Sequence, residues 1–344
     1  MIAGFAPLLA AVQRNCDIAD ARHAREMTLC SYLLEMREFC RWDQDRPLGS
    51  PMPRDEVGRW INEREALWER LSDEDFGELP LAGGSVDPFA AAVVNDALLP
   101  EGLVYGAGIG RFHKPHFFLG RLDRFERHDG LDVLVCECEY ARDLNAIPAA
   151  LQGGTVIVRR EALRQWLWEK AEAWGMKRVP GAMARALEAY GYAEDAAAAL
   201  ARMTDGETET LILHERGEHA AGKLLDPGWQ DMIAGCSRRQ TELTARAVRD
   251  NLADCLVTLP ALVARDNPAS LHFWFANFDG LRREIFPWLA SAYDQWLDSD
   301  DRAPLLAAVA AGSDHWRLMA ERLLAAHRAQ AAGEPDIAVL SGPA

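Results

Sequence analysis

The chain has 344 residues, and at 49% hydrophobic and 26% charged it has ordinary globular composition for about two domains. Its net charge of −16 and pI near 5.0 oppose duplex nucleic-acid binding, which needs a basic footprint on the phosphates. Seven cysteines point to reduced thiols rather than a disulfide framework, and neither the opening MIAGFAPLLAAVQ nor any later run reaches the ~18 apolar residues of a membrane span, so a cytoplasmic chain is expected.

Residues 7–42 read as one long helix or a broken pair, with Leu29, Leu33, Met36 and Cys40 at helical spacing. RPLGSPMPRDE (46–56) interrupts it. A second helix follows, with Val57, Trp60, Ile61, Leu67, Trp68 and Leu71 on its apolar side. DEDFGELPLAGGS reads as loop, and DPFAAAVVNDALLP as a short helix closed by Pro100. Residues 102–110 alternate weakly. The segments 116–127 and 131–140 flank His128-Asp129-Gly130, a hairpin signal, and both faces of the second segment look buried. Gly154–Val158 is a further short strand, running into RREALRQWLWEKAEAW, a helix that ends near Gly175.

Beyond Pro180-Gly181 only helices are expected, at 182–190, 193–203, 207–224, 238–264, 270–298 and 303–330, and GEPDIAVLSGPA reads as a frayed tail. The fold class is therefore α+β: N-terminal helices around a small, mostly antiparallel sheet (1–178), an all-α bundle (179–332) and a tail (333–344).

Functional candidates sit where charges interrupt apolar helix faces, because a charge out of water must be paired. In 208–225, Glu215 and Glu218 lie one turn apart in line with Leu211 and Gly222, flanked by His214 and His219. Carboxylates and imidazole on one face suit a metal held in a helical bundle, although the spacing matches neither zincin motif. A surface helix with a mixed charged face is the plainer reading. In 238–263, Val248, Leu252, Leu256 and Leu259 form a core stripe, while Arg246, Asp250 and Asp254 step along the side beside it. They read either as an exposed Arg–Asp pair or as carboxylates entering the bundle opposite Glu215 and Glu218. In 271–289 six aromatics surround Asn277, Asp279, Arg282 and Arg283, as in a small-molecule pocket or simply a helical core.

Other signals carry less. Cys16, Asp20 and His23 supply the residue types of a nucleophilic site on one helix face, but three groups on one straight helix rarely converge. Gly106–Gly110 lacks the helix that a dinucleotide site needs, and Cys136-Glu137-Cys138 lacks a second pair for zinc. His113 and His116 bracket Pro115 in a loop, and Arg142-Asp143 reads as an internal ion pair ending a strand.

NCDIADARHAREMTLCSYLLEMREFCRW, GIGRFHKPHFFLGRL with ECEYARDL, LILHERGEHAAG, RAVRDNLADCLVTLP and LHFWFANFDGLRREIFPWL together resemble an uncharacterised proteobacterial family, a domain of unknown function in two parts. The resemblance implies a bacterial cytoplasmic protein and transfers no catalytic residue. The leading expectation is a site in the second half for a metal or small ligand. Glu215, Glu218, His219, Asp250 and Asp254 would serve as ligands or acid/base groups, Arg246 would orient an anion, and Asn277 and Asp279 would complete the wall. Fe, Mn or Zn would suit such donors. The rival is a non-catalytic interaction module, a homodimer anchored by Trp60, Trp68, Trp166, Trp168, Trp288 and Trp296.

Overall fold

Residues 5–43 form two helices, α1 (Phe5–His23) and α2 (Leu29–Asp43), separated by a 3-10 turn at Ala24–Glu26. Thr28 starts α2 by accepting the Ser31 N–H on its hydroxyl. Leu29 and Leu33 correct the expected core stripe: they are 70% and 48% exposed, while Met36 and Cys40 are buried. The computed structural model describes residues 4–110, 113–128, 130–152, 154–225, 227–236 and 238–329. Asp129 of the hairpin signal and the tail 333–344 lie outside them.

The chain forms two compact units, Met1–Trp168 and Glu169–Ala344. In the first, α3 (Arg54–Leu71) buries Trp60, Trp68 and Leu71. The stretch read as loop contains β1 (Leu79–Leu81) and β2 (Gly84–Val86), an antiparallel pair in which Leu79 faces Val86. Three-residue strands, one carrying Pro80, show too little alternation to be recognised. The helix α4 (Ala91–Leu98) then leads to a five-stranded sheet of β3 (Leu103–Ile109), β4 (Pro115–His128), β5 (Leu131–Arg142), β6 (Ala149–Gln152) and β7 (Thr155–Arg159). Its order is β3-β4-β5-β7-β6, and only β5 and β7 run parallel. The strand β6 is an addition to the expected set.

Both sheet faces are covered. Tyr105, Phe117 and Leu119 pack with Val12 and Cys16 of α1, while Val104, Phe118, Leu134 and Cys136 form a second cluster. Gly120 sits at a bulge in β4, where a Cβ would stand 2.3 Å from Cys136 Sγ, so no larger residue fits. Asp20 accepts from Lys114 Nζ and from the Leu144 N–H, each at 2.8 Å, and ties α1 to the open end of the β4–β5 hairpin, where β4 begins and β5 ends. Arg159 holds Glu139 through two bonds of 2.7 and 2.8 Å.

Two expectations for this unit fail. The Arg142 and Asp143 side chains do not pair with each other: Arg142 lies over the rings of Phe39 and Trp42 with Nε 3.8 Å from Glu139, and Asp143 meets His116 at 2.9 Å. Cys16, Asp20 and His23 disperse to Phe117, Lys114 and Glu26.

The helix α5 (Arg160–Lys177) follows the sheet, and the second unit then contains α6 (Ala182–Ala189), α7 (Ala196–Leu224), α8 (Gly228–Ala234), α9 (Arg239–Ala253), α10 (Leu259–Val263), α11 (Ala269–Ala276), α12 (Gly280–Glu284), α13 (Pro287–Ser299) and α14 (Ala303–Ala329). No strand occurs among its described residues. The two helices expected at 193–203 and 207–224 are one. Gly206 does not break α7; its missing side chain admits the Tyr190 hydroxyl, 2.6 Å from where a Cβ would be. The helix expected at 270–298 divides into three, ending first at Asn277 and restarting at Pro287. Leu252, Leu259, Phe286 and Trp316 lie in one core. Among the described residues no helix is long and apolar enough to cross a membrane.

Candidate functional site

Between α9 and α10 the backbone opens into a π-helical turn, Asp254–Thr258. Such turns recur at functional sites. This one begins at Asp254, whose side chain is 1% exposed and stands between two cations. His214 of α7 brings Nδ1 to 2.8 Å from Asp254 Oδ1, and Arg282 of α12 donates to Oδ2. Asn251 clamps the arginine: its Oδ1 accepts from Arg282 Nε at 3.1 Å and its Nδ2 donates to the Arg282 carbonyl at 3.3 Å.

A second pair lies alongside. Arg249 donates to Glu218 at 2.9 Å and to Asp250 at 3.2 Å. His214 joins the two groups, since its Nε2 is 3.6 Å from Glu218. Close helix approach makes this possible, because Gly217 presses on the Ala253 carbonyl, where a Cβ would come within 2.4 Å. Asp254 is fully buried, yet about a quarter of the His214 and Arg282 side chains meets solvent.

Electrostatics divides these groups. Burial alone would raise Asp254, but His214 and Arg282 outweigh it and hold its carboxyl well below the usual range. Burial would lower His214, and Asp254 outweighs that, so its imidazole stays protonated well above the ordinary pKa. Glu218 is lowered against burial by His214 and Arg249. Among the described residues Glu215 has no hydrogen-bonded cation, and burial outweighs the pull of His214 and Arg249 and pushes it up to about 7. Burial also raises Asp250. With Glu215 protonated, the carboxylates of Glu218, Asp250 and Asp254 balance His214, Arg249 and Arg282, three against three.

The structure therefore gathers Glu215, Glu218, Asp250 and Asp254, and the plain surface-helix reading of 208–225 fails, since Glu215 is 8% exposed. It does not gather the rest. Arg246 is exposed and pairs with Glu242 at 2.8 Å, one turn back on its own helix. The residue beside the carboxylates is Arg249, and the Glu242–Arg246 spacing, a favourable i,i+4 order, was the signal that Arg246 was already satisfied. His219 Nε2 is buried without a partner, and it is His214 that meets Asp254. Asn277 donates to the Phe273 carbonyl of its own helix, and Asp279 is exposed.

Among the described residues no group of three or more His, Cys, Asp or Glu is disposed to hold a metal ion. Arg249 bonds one oxygen each of Glu218 and Asp250, and Arg282 one of Asp254, so cations of the protein already stand at these carboxylates. Trp60, Trp68 and Trp296 are buried within their own units; Trp166, Trp168 and Trp288 are half-buried.

A second buried carboxylate escaped the sequence reading. Glu207 of α7 accepts from the Tyr190 hydroxyl at 2.6 Å, and that oxygen lies 2.9 Å from Ser270 Oγ. Burial raises Glu207 to about 7 against these hydrogen bonds.

Residues 7–159 match the N-terminal domain, and residues 164–340 the C-terminal domain, of a family described as a family of unknown function (DUF6866). The chain belongs to that two-part family. Comparison with curated proteins and with solved structures gives no match.

Proposed function

We propose that the C-terminal unit of this member of a two-domain family of unknown function is an acid–base site acting on a small polar molecule, with His214 as its proton-transferring group. One observation carries the reading: a π turn presents a fully buried carboxylate to an imidazole that still reaches solvent. A buried Asp on Nδ1 fixes the ring and its tautomer, and Nε2, 3.6 Å from Glu218, carries the proton to be transferred. Glu215, raised to about 7, adds a group able to exchange a proton near neutral pH beside the protonated His214. Arg249 and Arg282 set the positions of Glu218 and Asp254. Because these arginines already neutralise the carboxylates, the same residues favour a small organic substrate over a metal ion.

The test is substrate discovery by mass spectrometry. Full-length protein is incubated with a small-molecule cell extract, beside His214→Gln verified as folded by circular dichroism. A compound consumed by wild type and spared by the variant supports the reading. Identical extracts after both incubations overturn it.

An interaction module has one observation in its favour: Leu29, Leu33 and Leu34 of α2 are 70%, 48% and 55% exposed. Light scattering on wild type and Leu33→Glu tests it, since an unchanged monomer mass in both removes self-association through α2.

A further inference from the structure

The C-terminal unit also contains a cavity of about 370 Å³, toward the small end of the ~300–1,000 Å³ typical of small-molecule sites. Its wall is aromatic: the Phe275 and Tyr293 rings stack with centroids 4.0 Å apart and planes 25° apart. The Tyr293 hydroxyl lies 2.8 Å from His272 Nδ1. Burial pushes His272 down to about 4, so at neutral pH the imidazole accepts and the phenol donates. Tyr293 thus lines the cavity with its polar end already engaged.

Arg185 and Arg283 also line this cavity, and among the described residues neither has an ion-pair partner. This is against the trend of the chain, in which 53 acidic residues outnumber 37 Lys and Arg. Other arginines of the unit are satisfied: Arg202 by the Tyr190 carbonyl, Arg249 and Arg282 by carboxylates, and Arg302 by the carbonyls of Val263 and Arg265. Asp294 is the one acidic lining residue, which leaves two positive charges against one negative. Gly181 sits at φ +143°, and a Cβ there would meet nothing within 4 Å, so the Pro180-Gly181 turn leaves its side of the cavity open.

We propose that this cavity binds a small aromatic carboxylate. The ring lies along the Phe275–Tyr293 wall and the carboxylate meets Arg185 and Arg283. The charge excess of one matches a monoanion. Arginine is suited to the planar carboxylate, and aromatic packing supplies the apolar part of the affinity. The site is independent of His214.

The test is calorimetric titration of the full chain with phenylacetate. Wild type binds with Kd of about 10–1,000 μM, and Arg283→Gln and Arg185→Gln weaken it at least tenfold, about 1.4 kcal/mol. Both arginines are exposed and, among the described residues, without an ion-pair partner, so the variants retain the fold. Phenethylamine, which reverses the charge on the same ring, does not bind, and His214→Gln binds phenylacetate as wild type does. Three results overturn the assignment: no heat with phenylacetate up to ~10 mM, equal affinity in the arginine variants, or equal affinity for phenethylamine.

Discussion

Gly217 of α7 lies against the backbone of Ala253, and a Cβ on the glycine would stand 2.4 Å from the Ala253 carbonyl oxygen. Gly222, one turn further along α7, has nothing within 4 Å of the same position. Helix propensity favours alanine at both sites by ~1 kcal/mol. Gly222→Ala should therefore raise stability by up to that amount. Gly217→Ala should lower it by about 1–3 kcal/mol, because the helices must move apart. Urea denaturation of the two variants checks the sign of each. A Gly217→Ala protein as stable as wild type would mean that the α7–α9 approach is not tight.

Asp254→Asn removes the anion shared by His214 and Arg282 and leaves two partly buried cations facing a neutral amide. Breaking a buried pair in this way costs about 3–5 kcal/mol. The imidazole should also titrate lower, since Asp254 is the chief influence raising it against burial. Nitrogen-resolved NMR of the histidine ring measures the change. An unaltered His214 titration would show that Asp254 does not hold the proton there.

Glu207 and Glu215 should give the protein a loss of stability from mildly acidic to neutral pH. Both are raised to about 7 by burial, against ~4.3 in an unfolded chain. Their contribution is fully present below the unfolded value and is lost as pH rises through the folded one. Asp254 and Glu218 act oppositely, because their carboxyls are depressed and their contribution is lost on acidification. Glu207→Gln keeps an acceptor for Tyr190 and removes the titration. Denaturant midpoints at pH 5 and pH 8.5 should diverge less in this variant than in wild type, and an unchanged difference would exclude Glu207 as a source.

Thiol reactivity should separate the cysteines by burial. Cys16, Cys136 and Cys255 are buried and their thiols are pushed up, chiefly by desolvation, whereas Cys30 is exposed. A disulfide reagent at neutral pH should label Cys30 first and these three only on unfolding. Early labelling of Cys255 would indicate that the region around the π turn opens readily.

The sequence reading succeeded where periodicity was long. The α+β order, the β4–β5 pair and helices such as α5 and α14 follow from runs that repeat one pattern over many residues. It failed where elements are short or depend on distant partners: β1, β2 and β6 span three or four residues, and Gly206 resembles a helix break until Tyr190 is seen against it. The candidate site was legible in its carboxylates, because Glu215, Glu218, Asp250 and Asp254 interrupt apolar faces. Its cations were not. Selecting Arg249 over Arg246 and His214 over His219 depends on how helices α7, α9 and α12 are rotated, and a linear pattern does not contain that angle.

Asp20 bonds to Lys114 and to the Leu144 N–H, 94 and 124 positions later in the chain. During synthesis at ~5–20 residues per second, its carboxylate waits roughly 6–25 s before the second partner is made. Through that interval Asp20 remains in water, and α1 exposes the apolar face that later packs under the sheet. The helix α1 is thus made long before the strands that secure it, and its apolar face waits for a partner until the end of β5 has emerged.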